Sequence, residues 1–186
     1  MTAMAVVVER RKGERRRFNT SPKTADVILH FLEILGLSVW LGSIVFFSFA
    51  VAPSAFASLP SHELAGLVVT STISKVELLG IVIGPLLLIL LLVTRKRGEK
   101  IYSVTAIRAS LLATMTLAAA VSRQFITPSM VTLRNAMPDG IDNITATDPM
   151  KVQFDSLHHY SVGLMSIALF AGLAALFLTV RSSMKR

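Results

Sequence analysis

The chemistry of this chain resides in a few ionisable side chains set inside apolar sequence. "FDSLHHYS" (154–161) places His158 and His159 at the doorway of a long apolar run, and His158 continues at helical spacing through Ser161 and Met165. An imidazole in that setting can take up a proton at about pH 6 to 7, bridge two helices or bind a cation. Glu77 stands near the start of another apolar run and Arg123 at the end of a third. If all begin or end at one membrane face, His158, His159, Ser161, Arg123 and Glu77 form a candidate outer polar site. A second layer is expected on the inner side. Glu33 and Arg108 lie roughly 9 to 10 Å inside their runs at about 1.5 Å per helical residue. Each costs a few kcal/mol near the bilayer centre unless paired or hydrated, so the two are expected to pair. His30 shares a helical face with Glu33 and extends that pair into a candidate inner intramembrane network.

The donor set restricts cofactors. The chain has no cysteine, which excludes disulfides, thiolate metal sites and thiol nucleophiles. A haem bridged by two histidines needs imidazoles at one depth on different helices. His30 falls at the opposite face from His158, and His62 lies in a connection with no apolar pocket. Copper suits His and Met better, and Met130, Met137, Met150 and Met165 can approach His158; His158 and Met165 are the weak metal candidates. No cofactor is expected. Phosphate loops, dinucleotide glycine fingerprints and zinc-protease helices are absent from the sequence, so no catalytic residue is assigned and no enzyme is expected.

The elements that must position these residues follow from composition. Hydrophobic residues make up 53% of the chain, charged residues 16%, and the mean hydropathy is +0.64. That balance belongs to a membrane protein rather than a soluble domain. The apolar residues concentrate in four runs, about 27–52, 76–94, 101–122 and 155–180, each close to the roughly 20 residues a helix needs to cross the hydrocarbon. The expected fold is all-α, an integral membrane four-helix antiparallel bundle. The first run imitates a secretory signal but is too long for one and carries His30 and Glu33, so it reads as a permanent helix.

Charge placement orients the bundle. "ERRKGERRRF", "TRKRGEK" and "RSSMKR" are basic, whereas 53–75 holds one lysine and 127–152 balances Arg134 and Lys151 against three aspartates. Basic flanks stay cytoplasmic, so both termini are expected inside, in a cell's inner or plasma membrane. Residues 1–24 form a basic cytoplasmic arm, 25–182 a single transmembrane domain, and 127–152 an extracytoplasmic loop. The net charge of +8 then needs no nucleic acid; the expected partners are the bilayer and, through the arm, its anionic headgroups. "RKRGEK" makes the second and third helices antiparallel neighbours. Pro128, Pro138, Asp139-Gly140 and Pro149 read as turn formers, and Pro85 as a kink. "SHELAGLVVTSTISK" alternates at helical spacing, so the second helix starts early or is preceded by a short interfacial helix.

Three blocks, "VWLGSIVFFSFAVAPSAFASLPSHELAGLV" (39–68), "SRQFITPSMVTLR" (122–134) and "FDSLHHYSVGLM" (154–165), resemble the TMEM205-like, or DUF4149, family of small four-helix membrane proteins. The matching positions are Trp40, Gly42, Pro53, Phe56, Leu59, Pro60, His62, Gly66, Arg123, Pro128, Arg134, Phe154, His158 and Ser161. The resemblance implies a shared site at His158, Ser161 and Arg123, with one departure, since Met165 stands where other members carry an amide. It also implies links to platinum-drug resistance and membrane trafficking, and the first-helix pattern is similar to copper-resistance membrane domains. Three functions are in play: a transporter-like or export-assisting protein, as a homodimer given the little room in four spans; an accessory or scaffolding subunit of a membrane complex; and a copper- or haem-linked redox protein.

Overall fold

The computed structural model describes residues 24–94, 104–137 and 140–183. It contains four helices long and apolar enough to cross a membrane, Thr24–Ser58, His62–Thr94, Val104–Ala136 and Pro149–Ser182. No strand occurs among the described residues. The basic arm through residue 23, the connection 95–103 with its "RKRGEK" turn, Pro138, Asp139 and the tail 184–186 lie outside them.

The first span joins α1 (Thr24–Phe46), a π-helical turn (Phe47–Val51) and α2 (Ala52–Ser58); the second is α3 (His62–Thr94). The third joins α4 (Val104–Val121), a π-helical turn (Ser122–Ile126) and α5 (Thr127–Ala136), followed by the single turn α6 (Gly140–Asn143) and the fourth span, α7 (Pro149–Ser183).

Prolines account for the main departures from the expected boundaries. A proline ring inside a helix clashes with the carbonyl four residues earlier and donates no hydrogen bond. Just before Pro53 and Pro128 the helix widens instead of ending. The Ala52 N–H bonds to the Phe47 carbonyl, and the Thr127 N–H to the Ser122 carbonyl, the bonding of a π-turn. The chain therefore runs on as helix to Ala136, where the sequence reading has a loop from 127. Pro149 is likewise no loop residue: it sits in the first turn of the fourth span, where its missing N–H is harmless. Asp148 caps that turn by accepting the Met150 N–H at 2.8 Å. The connection shrinks to 137–148. The second span begins early, at His62, and continues through Pro85.

By its contacts the chain divides into Met1–Leu32 and Glu33–Arg186. The described part of the first unit is the helical stretch 24–32, with Val27, Ile28, Phe31 and Leu32 exposed and His30 half-buried. In the second unit, Leu37, Trp40 and Leu41 of α1, Leu87 and Leu91 of α3, Leu112 and Met115 of α4, and Ala168, Ala171 and Ala175 of α7 form the core. Lipid gives helices no hydrophobic reason to associate, so close approach at small residues matters most. A Cβ on Gly80 would stand 2.6 Å from the Trp40 indole, and one on Gly172 would meet Leu41 and Met115 at the same distance. Phe46, Phe49, Phe125, Phe170 and Phe177 point outward, as lipid-facing side chains do.

Glu33 and Arg108 are 75 residues apart. The same interval links Leu37 to Leu112, Trp40 to Met115, Ile44 to Ala119 and Phe47 to Ser122, all buried, and it links the two π-turns and their prolines. Buried Glu77, Gly84, Leu87 and Leu91 of the second span match the spacing of buried Ser161, Ala168, Ala171 and Ala175 in the fourth. The unit is thus two helical hairpins built on one plan and running the same way, a parallel internal repeat.

Candidate functional site

At the end of the bundle formed by the starts of the first and third spans, Glu33 and Arg108 make the ion pair their positions imply. Both are buried, and Arg108 Nη1 also donates to Ser182 Oγ at 3.5 Å, tying three spans together. His30 belongs to the amino-terminal unit.

Between this end and the other lies Glu77, only 5% exposed. Its Oε1 accepts hydrogen bonds from Ser122 Oγ at 2.5 Å and Thr127 Oγ1 at 2.9 Å. The π-turn brings both hydroxyls to bear, because it starts at Ser122 and hands over to α5 at Thr127. Glu77 Oε2 is buried with no partner among the described residues. It borders a pocket of about 30 Å³ with Trp40, Ser122 and Ser161, room for a water molecule or two.

Ser161, Met165 and Ile73 separate that pocket from a lateral groove of about 470 Å³. Phe47, Phe49 and Phe56 from the first span, Val69 and Thr70 from the second, and His158, Val162 and Leu169 from the fourth line it. Toward the end of the bundle the groove meets a vestibule of about 380 Å³, the two sharing Phe56, Val69, Thr70, Met130 and His158. The vestibule gathers charged and titratable side chains, His62, Arg134, Asp142, Lys151 and Asp155, among apolar ones such as Phe56, Ile141 and Phe154. Asp142 caps the second span by accepting the N–H groups of His62 and Glu63 at 3.2 and 3.1 Å, and its Oδ1 lies 3.0 Å from His62 Nδ1. Lys151 pairs with Asp155 at 2.5 Å.

The outer set named from sequence is divided by this geometry. His158 lines groove and vestibule, Ser161 lines groove and pocket, and Glu77 lines only the pocket. Arg123 turns to the second span, donating from Nη1 to the Ser74 carbonyl at 2.6 Å, and borders none of the three spaces. His159 is exposed, and its Nδ1–H donates to the Asp155 carbonyl at 2.7 Å. Met165 receives a 3.8 Å contact from Ser48 Oγ. Among the described residues no three of His, Asp and Glu converge as a metal site requires.

Arg134 is the residue that sequence reasoning misplaced. Read as a loop charge, it is 7% exposed at the end of α5. Its Nη1 donates to Thr70 Oγ1 at 3.1 Å, and its guanidinium stacks 5.5 Å over the Phe154 ring. Gly66 makes the space, since a Cβ there would stand 2.8 Å from Nη2. The signal was present: Thr127, Met130 and Arg134 share one face once α5 is extended as helix.

Four long apolar spans and a polar layer between them define a multi-pass helical membrane protein. A family model described as a domain of unknown function, DUF4149, matches residues 35–139, more than half of the chain, and the chain belongs to that family. The match takes in Glu77, Arg108, Arg123 and Arg134 and ends before the fourth span. No curated protein and no solved structure matches.

Proposed function

We propose that this protein is a transport- or export-assisting membrane protein, without catalytic activity of its own, that takes its cargo into the groove beside His158. The observation that supports this reading is the joined vestibule and groove, about 380 and 470 Å³, each within the size range of ligand sites. The space stops at Ile73, Ser161 and Met165, which wall it off from the small pocket at Glu77. Beyond it Leu37, Trp40, Leu112 and Met115 are packed without exposure, and the Glu33–Arg108 pair closes the far end. Such an arrangement suits a carrier open to one side, with two equivalent hairpins able to rock about their common axis. The basic segments argue for an inner or plasma membrane setting with the Glu33–Arg108 end in the cytoplasm and the vestibule outside. The basic arm then lies at anionic headgroups, and a homodimer gives four spans the extra wall they need.

The test is flux into vesicles holding the purified protein, with cations and small organic solutes offered from each side. His158→Ala is expected to lower the wild-type flux at least tenfold while leaving the melting temperature unchanged. Equal flux from the two proteins removes the groove from the path.

A further inference from the structure

Groove and vestibule differ in chemistry, and the difference runs along the length of the helices. The groove is bounded by Phe47, Phe49, Phe56, Val162, Met165 and Leu169. Along the first span these positions precede His62, so the apolar space lies deeper and the charged vestibule nearer the end of the bundle. A leaflet lipid has the same order, tail below head.

The vestibule also carries one cation, Arg134, that has no ion-pair partner among the described residues. Asp142 is committed to His62 and to two backbone N–H groups, and Asp155 to Lys151. Glu63 attracts Arg134 through space, but among the described residues no carboxylate comes within ion-pair distance of the guanidinium. Arg134 has five N–H donors, Thr70 accepts from Nη1, and the Nε–H is buried with no partner among the described residues. A guanidinium so held presents a planar fork that fits a phosphate better than any point charge.

We propose that the two chambers form one binding site for an anionic phospholipid of the surrounding leaflet, its phosphate on Arg134 and one acyl chain in the groove past His158. The vestibule, nearly as large as the groove, accommodates a glycerol phosphate head rather than a bare carboxylate. Thr70 and Phe154 hold the guanidinium in place, and Gly66 leaves it room to approach. This assignment names the ligand of the groove proposed above and rests on that groove being a binding site; it does not require that the lipid be moved.

Retention of lipid by purified protein tests it without measuring transport. The full chain in mild detergent is offered phosphatidylglycerol and phosphatidylcholine of equal chain length, and the bound fraction is read by native mass spectrometry. Both lipids carry a phosphate, but the quaternary ammonium of phosphatidylcholine offsets the negative charge that draws Arg134, so the wild type is expected to favour phosphatidylglycerol about tenfold. Arg134→Gln is expected to bring that preference to about one, and Arg134→Lys to restore part of it. Ala52→Phe, which fills the groove from its wall and leaves Arg134 intact, is expected to lower retention of both lipids at least fivefold. It also serves if Arg134→Gln does not fold. Equal retention of the two lipids by the wild type overturns the proposal, as does unchanged retention in Ala52→Phe. Excess free inorganic phosphate competing as well as phosphatidylglycerol overturns it too, because the groove then adds nothing. Lipid preference without flux would sink only the transport reading; flux without lipid preference would sink only this one.

Discussion

Glu33 and Arg108 illustrate what burial does to a charge. Each alone is untenable between apolar spans, and together they hold the first and third spans at one depth. Removing one partner of a buried pair costs about 3 to 5 kcal/mol, whereas replacing both by apolar residues of similar volume is often neutral. Glu33→Leu is therefore expected to lower the melting temperature sharply, and Glu33→Leu with Arg108→Met to recover most of the loss. A single variant as stable as the wild type would show that the pair contributes nothing to the bundle. Glu77 behaves differently, since two hydroxyls satisfy only one of its oxygens. Glu77→Gln keeps an acceptor for Ser122 and Thr127, so thermal unfolding in detergent should move little; a large drop would mean that the ionised carboxylate itself stabilises the core. The inner pair was legible in the sequence because hydrophobic surroundings leave a charge few options. Arg134 was not, because its burial depends on a helix that runs on through Pro128, a residue that by type alone signals a turn.

The two π-turns decide where side chains beyond them point. Without the extra residue before Pro128, Thr127 and Arg134 would turn by about 100° around the helix axis, away from Glu77 and Thr70. Periodicity within apolar runs located all four spans. It could not locate their ends, since a proline reads as a turn unless the helix has room to widen. The connection at the vestibule end has its own determinant in Asp142, which caps a helix nearly eighty positions away in sequence. Asp142→Ala is expected to destabilise by about 1 kcal/mol, the usual worth of such a cap, visible as a fall of a few degrees in the melting temperature. Gly80→Val should be far worse, because the second span approaches the Trp40 indole too closely for any side chain. Folded monodisperse yield after detergent extraction is the measurement, and a normal yield would mean that the spans can separate there without loss.

The whole unit is two hairpins of one design, yet their equivalent positions have diverged in chemistry. Glu33 answers to Arg108, and Glu77 to Ser161 across the central pocket. Such divergence turns a symmetric scaffold into one with a distinct ion pair and a one-sided groove. If each hairpin is a packing unit, a chain cut between residues 97 and 98 and produced as two pieces should reassemble. Affinity purification of one piece would then recover the other in equal amount; recovery of a lone hairpin would argue that the hairpins form only together.

Taken alone, the sequence determined membrane residence, the number of spans and the pairing of Glu33 with Arg108. All three follow from the cost of placing polar groups in hydrocarbon, which acts on each segment locally. Tertiary structure decided which polar residues share a cavity. It placed Arg134 beside Thr70 and Phe154, turned Arg123 to the backbone of the second span, and set His158 between an apolar groove and a charged vestibule. Those outcomes depend on helix rotation and close approach at glycine, quantities that a one-dimensional pattern of hydropathy does not contain.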